Sequence, residues 1–151
     1  GIQDQDTNRF TELEIGKGRK LCAGKDIAIL SLGPVGQYAR EACSDLLNEG
    51  ICIAHYDLRF FKPLDEQLLH EVFQTYPYVI TLEDGCTAGG VGSAIMEFMV
   101  DHGYKASLKR LGLPDTFAVQ GTQEELHRFY GYDKEAIIAA IRQFYEWSFC
   151  Q

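Results

Sequence analysis

Asp26-Ile27-Ala28-Ile29-Leu30-Ser31-Leu32, closed by Gly33-Pro34, is apolar almost without interruption. A strand with one wet face alternates apolar and polar residues, so an unbroken run of this length reads as a strand covered on both faces. Directly after it, Val35, Tyr38, Ala39, Ala42, Cys43, Leu46 and Leu47 recur at helical spacing and form one buried stripe. Gly50 then supplies a left-handed stop. A doubly covered strand feeding a helix is the repeating unit of a parallel sheet.

The unit repeats outward. Ile51-Cys52-Ile53-Ala54-His55-Tyr56-Asp57-Leu58 reads as a second strand. Pro63 interrupts, and Asp65 is placed to cap a helix with the stripe Leu68, Leu69, Val72 and Phe73. Tyr78-Val79-Ile80-Thr81-Leu82 is a third strand. A loop over residues 83–92 precedes a helix with Ala94, Ile95, Phe98 and Met99 inward, stopped by Gly103. A strand over residues 107–111 carries Lys109 and Arg110, charges that suit a sheet edge. Thr122-Gln123-Glu124-Glu125 is a capping box, Gly131 ends that helix, and Asp133 caps a last one with the stripe Ile137, Ile141, Phe144 and Trp147. Upstream, residues 16–21 suit a short edge strand, and the patternless polar residues 1–10 read as a linker or cloning remnant before a domain over 11–151. Strands and helices in alternation predict a doubly wound, mostly parallel sheet with right-handed crossovers.

Composition excludes several classes. Acidic residues outnumber basic ones by 22 to 14, for a net charge of −8, and no Lys/Arg cluster is present, so nucleic acid is a poor partner. The five cysteines, Cys22, Cys43, Cys52, Cys86 and Cys150, are scattered, with no C-x-x-C pair and no zinc spacing. Cys43 and Cys52 sit in apolar patterns, as small core residues do, and a reducing cytoplasm is the expected compartment. No apolar run reaches the ~18 residues of a membrane span, so no membrane partner is expected.

Ligands of doubly wound sheets gather beyond the carboxyl ends of the strands. Here those ends are Gly33-Pro34, Arg59-Phe60, Glu83-Asp84-Gly85 and Gly112-Leu113-Pro114-Asp115. Arg59 stands on a fixed base, so its guanidinium either presents paired donors to a phosphate or carboxylate, or forms a salt bridge with Asp57 or Glu83. Lys62 reads as a solvated neighbour. Gly89-Gly90-Val91-Gly92-Ser93 opens a helix and offers backbone N–H groups to a phosphate. It matches neither dinucleotide nor Walker patterns, and close packing accounts for its glycines. Glu83 and Asp84 are adjacent on a strand and point to opposite sides, so they make no catalytic dyad; one is expected to pair with Arg59 or to cap a backbone. His70 and His127 are expected at the surface, and His55 as a satisfied core residue. With His102 they share no metal-ligating spacing. No catalytic residue, cofactor ligand or metal ligand emerges from the pattern, and the chain by itself lacks a complete active site.

The ordered motifs carry a resemblance. Tyr56-Asp57-Leu58-Arg59-Phe60-Phe61-Lys62-Pro63-Leu64-Asp65 resembles the D-x-R-F-x-K-P-L-D segment of 1-deoxy-D-xylulose-5-phosphate synthases. Glu83-Asp84-Gly85, Gly89-Gly90-Val91-Gly92-Ser93, Gly112-Leu113-Pro114-Asp115 and residues 120–126 match later segments in order, over residues 15–142. The resemblance implies a transketolase C-terminal-like domain, three-layer α/β/α, with a five-stranded sheet whose first edge strand is antiparallel. It implies a thiamine diphosphate- and Mg²⁺-dependent parent enzyme that condenses pyruvate with glyceraldehyde 3-phosphate, losing carbon dioxide, for isoprenoid, thiamine and pyridoxal synthesis. Cofactor, metal and acid–base residues would lie on the catalytic domains of the same full-length chain, which would be a homodimer; this domain would bind no cofactor and be inactive alone. Arg59 falls at the position of a family arginine that holds the substrate phosphate. Its companion arginine lies upstream and is not seen in residues 1–10. The alternatives are a non-catalytic assembly domain of another transketolase-like enzyme and a free-standing small-ligand-binding domain.

Overall fold

The computed structural model describes residues 12–148. The expected linker over residues 1–10 and Cys150 lie outside them, as does the side chain of Trp147. Five strands, β1 (Arg19–Cys22), β2 (Ile27–Leu32), β3 (Ala54–Asp57), β4 (Tyr78–Cys86) and β5 (Ser107–Leu113), form one sheet in the order β1-β3-β2-β4-β5. β1 runs antiparallel to β3, and the other pairs are parallel. Five helices join or follow them: α1 (Gly36–Asn48), α2 (Glu66–Thr75), α3 (Val91–Asp101), α4 (Gln123–Tyr130) and α5 (Lys134–Ser148). The mixed sheet and its antiparallel first edge strand are as expected.

β2 shows why its sequence is continuously apolar. Successive side chains of a strand point to opposite faces. Ile27 and Ile29 pack with Ile80, Leu82 and Leu111 beneath Ala39, Ala42 and Leu46 of α1 and Ile137 and Ile141 of α5. Ala28 and Leu30 pack the other way, with Ala54, Tyr56 and Val79 beneath Leu69 and Val72 of α2 and Ile95 and Phe98 of α3. Ile27, Ala28, Ile29 and Leu30 are fully buried. Each buried Ile or Leu is worth about 1.5–3 kcal/mol relative to exposure, so this strand joins two cores.

The caps fall where the residues place them. Asp65 accepts the Leu68 N–H at 3.1 Å. The Thr122–Glu125 capping box is complete, with Gly131 left-handed at φ 74°. Asp133 accepts the Ala136 N–H at 3.0 Å. After α1, Ile51 N–H donates to Leu46 C=O at 2.9 Å across Gly50, a Schellman closure.

Three boundaries and two histidines differ from expectation. β3 starts at Ala54, not residue 51, because β2 first reaches it through the Ala28–Ala54 pair. β4 continues to Cys86 and β5 to Leu113 past a register shift, with Cys86 opposite Leu113. Gly112 allows this, since a Cβ there would lie 2.9 Å from Glu83 C=O. His127 is not at the surface but 5 % exposed, because α4 lays one face on the sheet end. His70 is half-buried, its Nδ1 2.7 Å from Tyr104 Oη.

His55 is buried as expected, with Nε2 2.8 Å from Ser31 Oγ, but its Nδ1 has no hydrogen-bond partner. Burial is the main cause that brings it from 6.5 down to about 4. The unfolded chain therefore binds one more proton between those values, and stability present above pH 6.5 is lost as pH falls toward 4. Urea unfolding should register roughly 3 kcal/mol of acid destabilisation from this group at one proton over the window. His55→Asn should flatten that part of the profile; an unchanged slope would show that His55 is not the group responsible.

Candidate functional site at the carboxyl end of the sheet

Arg59 follows β3 by two residues, and its position is set from Asp57. That carboxylate, 6 % exposed, faces Arg19 across the β1–β3 pair and takes its Nε at 3.3 Å. Its other oxygen accepts the Arg59 backbone N–H at 3.1 Å. Arg59 has φ 59°, and Phe60 N–H donates to Leu58 C=O over it at 2.6 Å. This is the rare, strained γ-turn, which an L-residue adopts only when its surroundings hold it there. Asp57 supplies that hold.

Neither expected salt bridge of Arg59 forms. Asp57 meets its backbone and pairs instead with Arg19, and Glu83 is engaged elsewhere. Among the described residues no acid pairs with the Arg59 guanidinium, and the side chain is partly exposed. Lys62 is exposed, with Nζ 5.5 Å over the Phe61 ring. Asp65 ties the start of α2 to the segment before β1 by accepting Gly18 N–H at 3.1 Å.

The Gly-rich turn already holds an anion of its own. Glu83, 5 % exposed, accepts Val91 N–H at 2.8 Å and Gly92 N–H at 2.9 Å, one on each oxygen. A carboxylate at a helix N-terminus gains both the free N–H groups and the positive end of the dipole. The glycines are needed for its approach: a Cβ on Gly90 would collide with the Glu83 carboxylate and Cys86 C=O, and one on Gly92 would stand 2.5 Å from Thr81 Oγ1. Arg110 closes the turn through Thr87 C=O at 2.7 Å and Ser93 Oγ at 2.8 Å. Glu83 is thus the member of the acidic pair that caps a backbone.

Asp84 points the other way. Its Oδ1 lies 3.3 Å from His127 Nε2 and accepts Tyr132 Oη–H at 3.3 Å, while Gln123 Nε2 donates to Oδ2 at 3.1 Å. Burial, then the Asp84 charge, pushes the Tyr132 phenol up to about 12. Sequence reasoning missed this cluster. The signal was present: Gln123 and His127 are four apart, on one face of the helix that the capping box starts.

Between the ends of β2 and β4 the chain departs to opposite faces of the sheet, the usual place for a ligand. The crevice there is about 530 Å³, bounded by Leu32, Pro34, Phe61, Asp84 and the Gly-rich turn. Among the described residues its wall holds two acids and no Lys or Arg. Among the described residues no three His, Cys, Asp or Glu stand close enough to share a metal ion. With its N–H groups occupied by Glu83, the Gly-rich turn does not fit a diphosphate. Among the described residues no helix is long and apolar enough to cross a membrane.

Glu83→Ala should cost roughly 2 kcal/mol or more, since two buried N–H donors lose their acceptor at ~1–3 kcal/mol each. Sulfate should then raise the melting temperature of this variant by more than that of the parent, which gains only the general stabilisation by an excluded salt. A variant as stable as the parent would contradict the role given to Glu83.

Comparison with known proteins agrees with this geometry. Residues 16–137 match the family model "Transketolase, C-terminal domain". The 1-deoxy-D-xylulose-5-phosphate synthase of Bacteroides thetaiotaomicron is 53 % identical over 127 residues, which is 83 % of this chain and 20 % of that protein. The synthase of Phocaeicola vulgatus is 52 % identical over 134 residues, 88 % of this chain and 21 % of that protein. This chain therefore spans about a fifth of the length of these relatives. A solved split-gene transketolase, an inactive beta4 tetramer, superposes with TM-score 0.81 at 32 % identity, over 88 % of this chain and 43 % of that one. Campylobacter jejuni transketolase shares the fold, with TM-score 0.62 at 14 % identity, over 85 % of this chain and 18 % of that one. An α/β/α layering with this strand order, the Glu83-filled turn and the match over residues 16–137 have one conclusion: the chain belongs to the transketolase C-terminal domain family.

Proposed function

We propose that this chain is the C-terminal domain of a 1-deoxy-D-xylulose-5-phosphate synthase and that Arg59 receives the phosphate of glyceraldehyde 3-phosphate. The observation that carries the reading is Arg59 itself. Its backbone is fixed in a strained turn by Asp57, and its guanidinium has no acid partner among the described residues. Strain of about 1–3 kcal/mol retained at one cation suits a binding residue better than a packing one. The identity to bacterial synthases supports the choice of substrate class.

In the whole enzyme, thiamine diphosphate with Mg²⁺ supplies the electron sink that lets pyruvate lose carbon dioxide, and the rest of the polypeptide holds both. Residues 12–148 pack against the catalytic domains and aim Arg59 at the acceptor aldehyde's phosphate. Paired N–H donors meet two phosphate oxygens there and orient the substrate by its distal end. The product feeds isoprenoid, thiamine and pyridoxal synthesis in the cytoplasm, and the full-length enzyme is a homodimer. The domain alone is inactive.

In the full-length enzyme, Arg59→Ala should raise KM for glyceraldehyde 3-phosphate about 10- to 100-fold, the loss of one charge-assisted contact of roughly 1.5–3 kcal/mol. KM for pyruvate should change far less. Equal changes for both substrates would remove Arg59 from the phosphate site.

A second reading is assembly, favoured by Phe117, which is 103 % exposed, beside the exposed Val119. Phe117 and Val119 lie two residues apart and expose apolar area that a contact between copies would cover. If this surface joins copies, sedimentation of the chain should give an oligomer that Phe117→Asp returns to monomer. A monomeric parent would rule this out.

A further inference from the structure

Beneath α1, at the β1–β3 edge of the sheet, lies a cavity of about 380 Å³ that the phosphate site does not use. That volume is near the lower end of the ~300–1,000 Å³ typical of small-molecule sites. Among the described residues its wall carries two arginines, Arg19 and Arg40, and no acid, in a chain of net charge −8. Most of the remaining wall is alkyl and thiol surface, Leu21, Ile51 and Ile53 among it. Free thiols pack as small apolar groups, and Cys22 on this wall donates to Ile53 C=O at 3.2 Å.

His55 of β3 belongs to the same wall and is 1 % exposed, and its Nδ1 has no hydrogen-bond partner among the described residues. A buried polar atom left unsatisfied costs roughly 1–3 kcal/mol, so one at a cavity wall points to a ligand. The ring's other nitrogen faces β2. There the Ser31 hydroxyl has two acceptors in reach, His55 Nε2 at 2.8 Å and Tyr56 C=O at 3.4 Å, and it donates along the shorter contact. Burial, the main cause, brings His55 down to about 4, so the ring is neutral at pH 7 and carries one proton. With Nε2 accepting, that proton is on Nδ1, which makes the unsatisfied atom a donor. Of the charges that act on the ring, Asp57 is paired with Arg19 at 3.3 Å, which leaves the field of Arg40. A buried N–H in the field of an arginine, between apolar walls, suits an anionic oxygen on an apolar body.

We propose that this cavity binds a small aliphatic monocarboxylate, one of whose oxygens accepts the His55 Nδ1–H while Arg40 balances its charge. Arg40 is exposed on α1 and so stands at the mouth, where its charge draws the anion in. The alkyl body leaves water along Leu21, Ile51 and Ile53. A phosphate ester suits the site less well, because a buried dianion would face only Arg40 beyond the Arg19–Asp57 pair.

The test titrates the full chain at neutral pH with hexanoate and, separately, with hexan-1-ol, and follows the histidine ring nitrogens by two-bond ¹H–¹⁵N correlation spectroscopy. Without ligand, His55 should show the Nδ1–H form. Hexanoate should shift His55 Nδ1 and saturate, and the alcohol should bind about tenfold more weakly or worse, having lost the charge-assisted contact. Arg40→Gln should weaken hexanoate by about tenfold and leave the His55 tautomer as it is. A His55 in the Nε2–H form, a hexanoate response that does not saturate, or an alcohol that binds as tightly would each overturn the proposal. The first and last of these are read on the parent chain, so they decide the matter even where the variant does not fold.

Discussion

Burial of β2 on both faces is the constraint from which the other elements take their places. Ile27 and Ile29 belong to one core and Ala28 and Leu30 to the other, so neither face can be left to water. α1 and α5 must cover one side, and α2 and α3 the other. Parallel neighbours follow, because each helix carries the chain back to the end of the sheet at which the preceding strand began. The strand ends β2, β3 and β4 therefore lie along one rim, and chemistry-bearing residues collect there.

On that rim the protein settles its anion chemistry internally in one place and leaves it open in another. At α3 the N–H groups of Val91 and Gly92 are saturated by Glu83, which turns a ligand-like turn into architecture. At β3 the acid Asp57 is spent on Arg19 and on the Arg59 backbone, so among the described residues the Arg59 guanidinium has no acid partner. Two similar-looking carboxylates thus have opposite effects on the cations and dipoles beside them. The difference lies in which atoms they meet.

Much of this was legible in the residues. The unbroken run 26–32, the stripe of α1, the Asp65 cap and the Thr122–Glu125 box depend on neighbours within a few positions, and each formed as read except at Leu47, which closes the α1 stripe on paper but is exposed. The strand extensions to Cys86 and Leu113 were not legible, because Glu83-Asp84-Gly85 carries the polarity of a loop. Only the close passage of Gly112 over Glu83 C=O makes that segment a strand. His127 was misjudged for a related reason: a helix face with few apolar residues looks wet until Asp84 and Tyr132 arrive to meet it.

The sequence by itself determined the order of elements, the two-sided burial of the central strand, the family resemblance and Arg59 as the cation at a strand end. These rest on local periodicity, on capping geometry and on motifs in a fixed order. Tertiary structure alone decided which partner each polar group takes. Glu83 reaches a helix eight residues on, Asp84 a helix some forty residues on, and Cys22 the Ile53 carbonyl across the sheet edge. Such pairings depend on how the strands are ordered and twisted together, and no spacing along the chain encodes them.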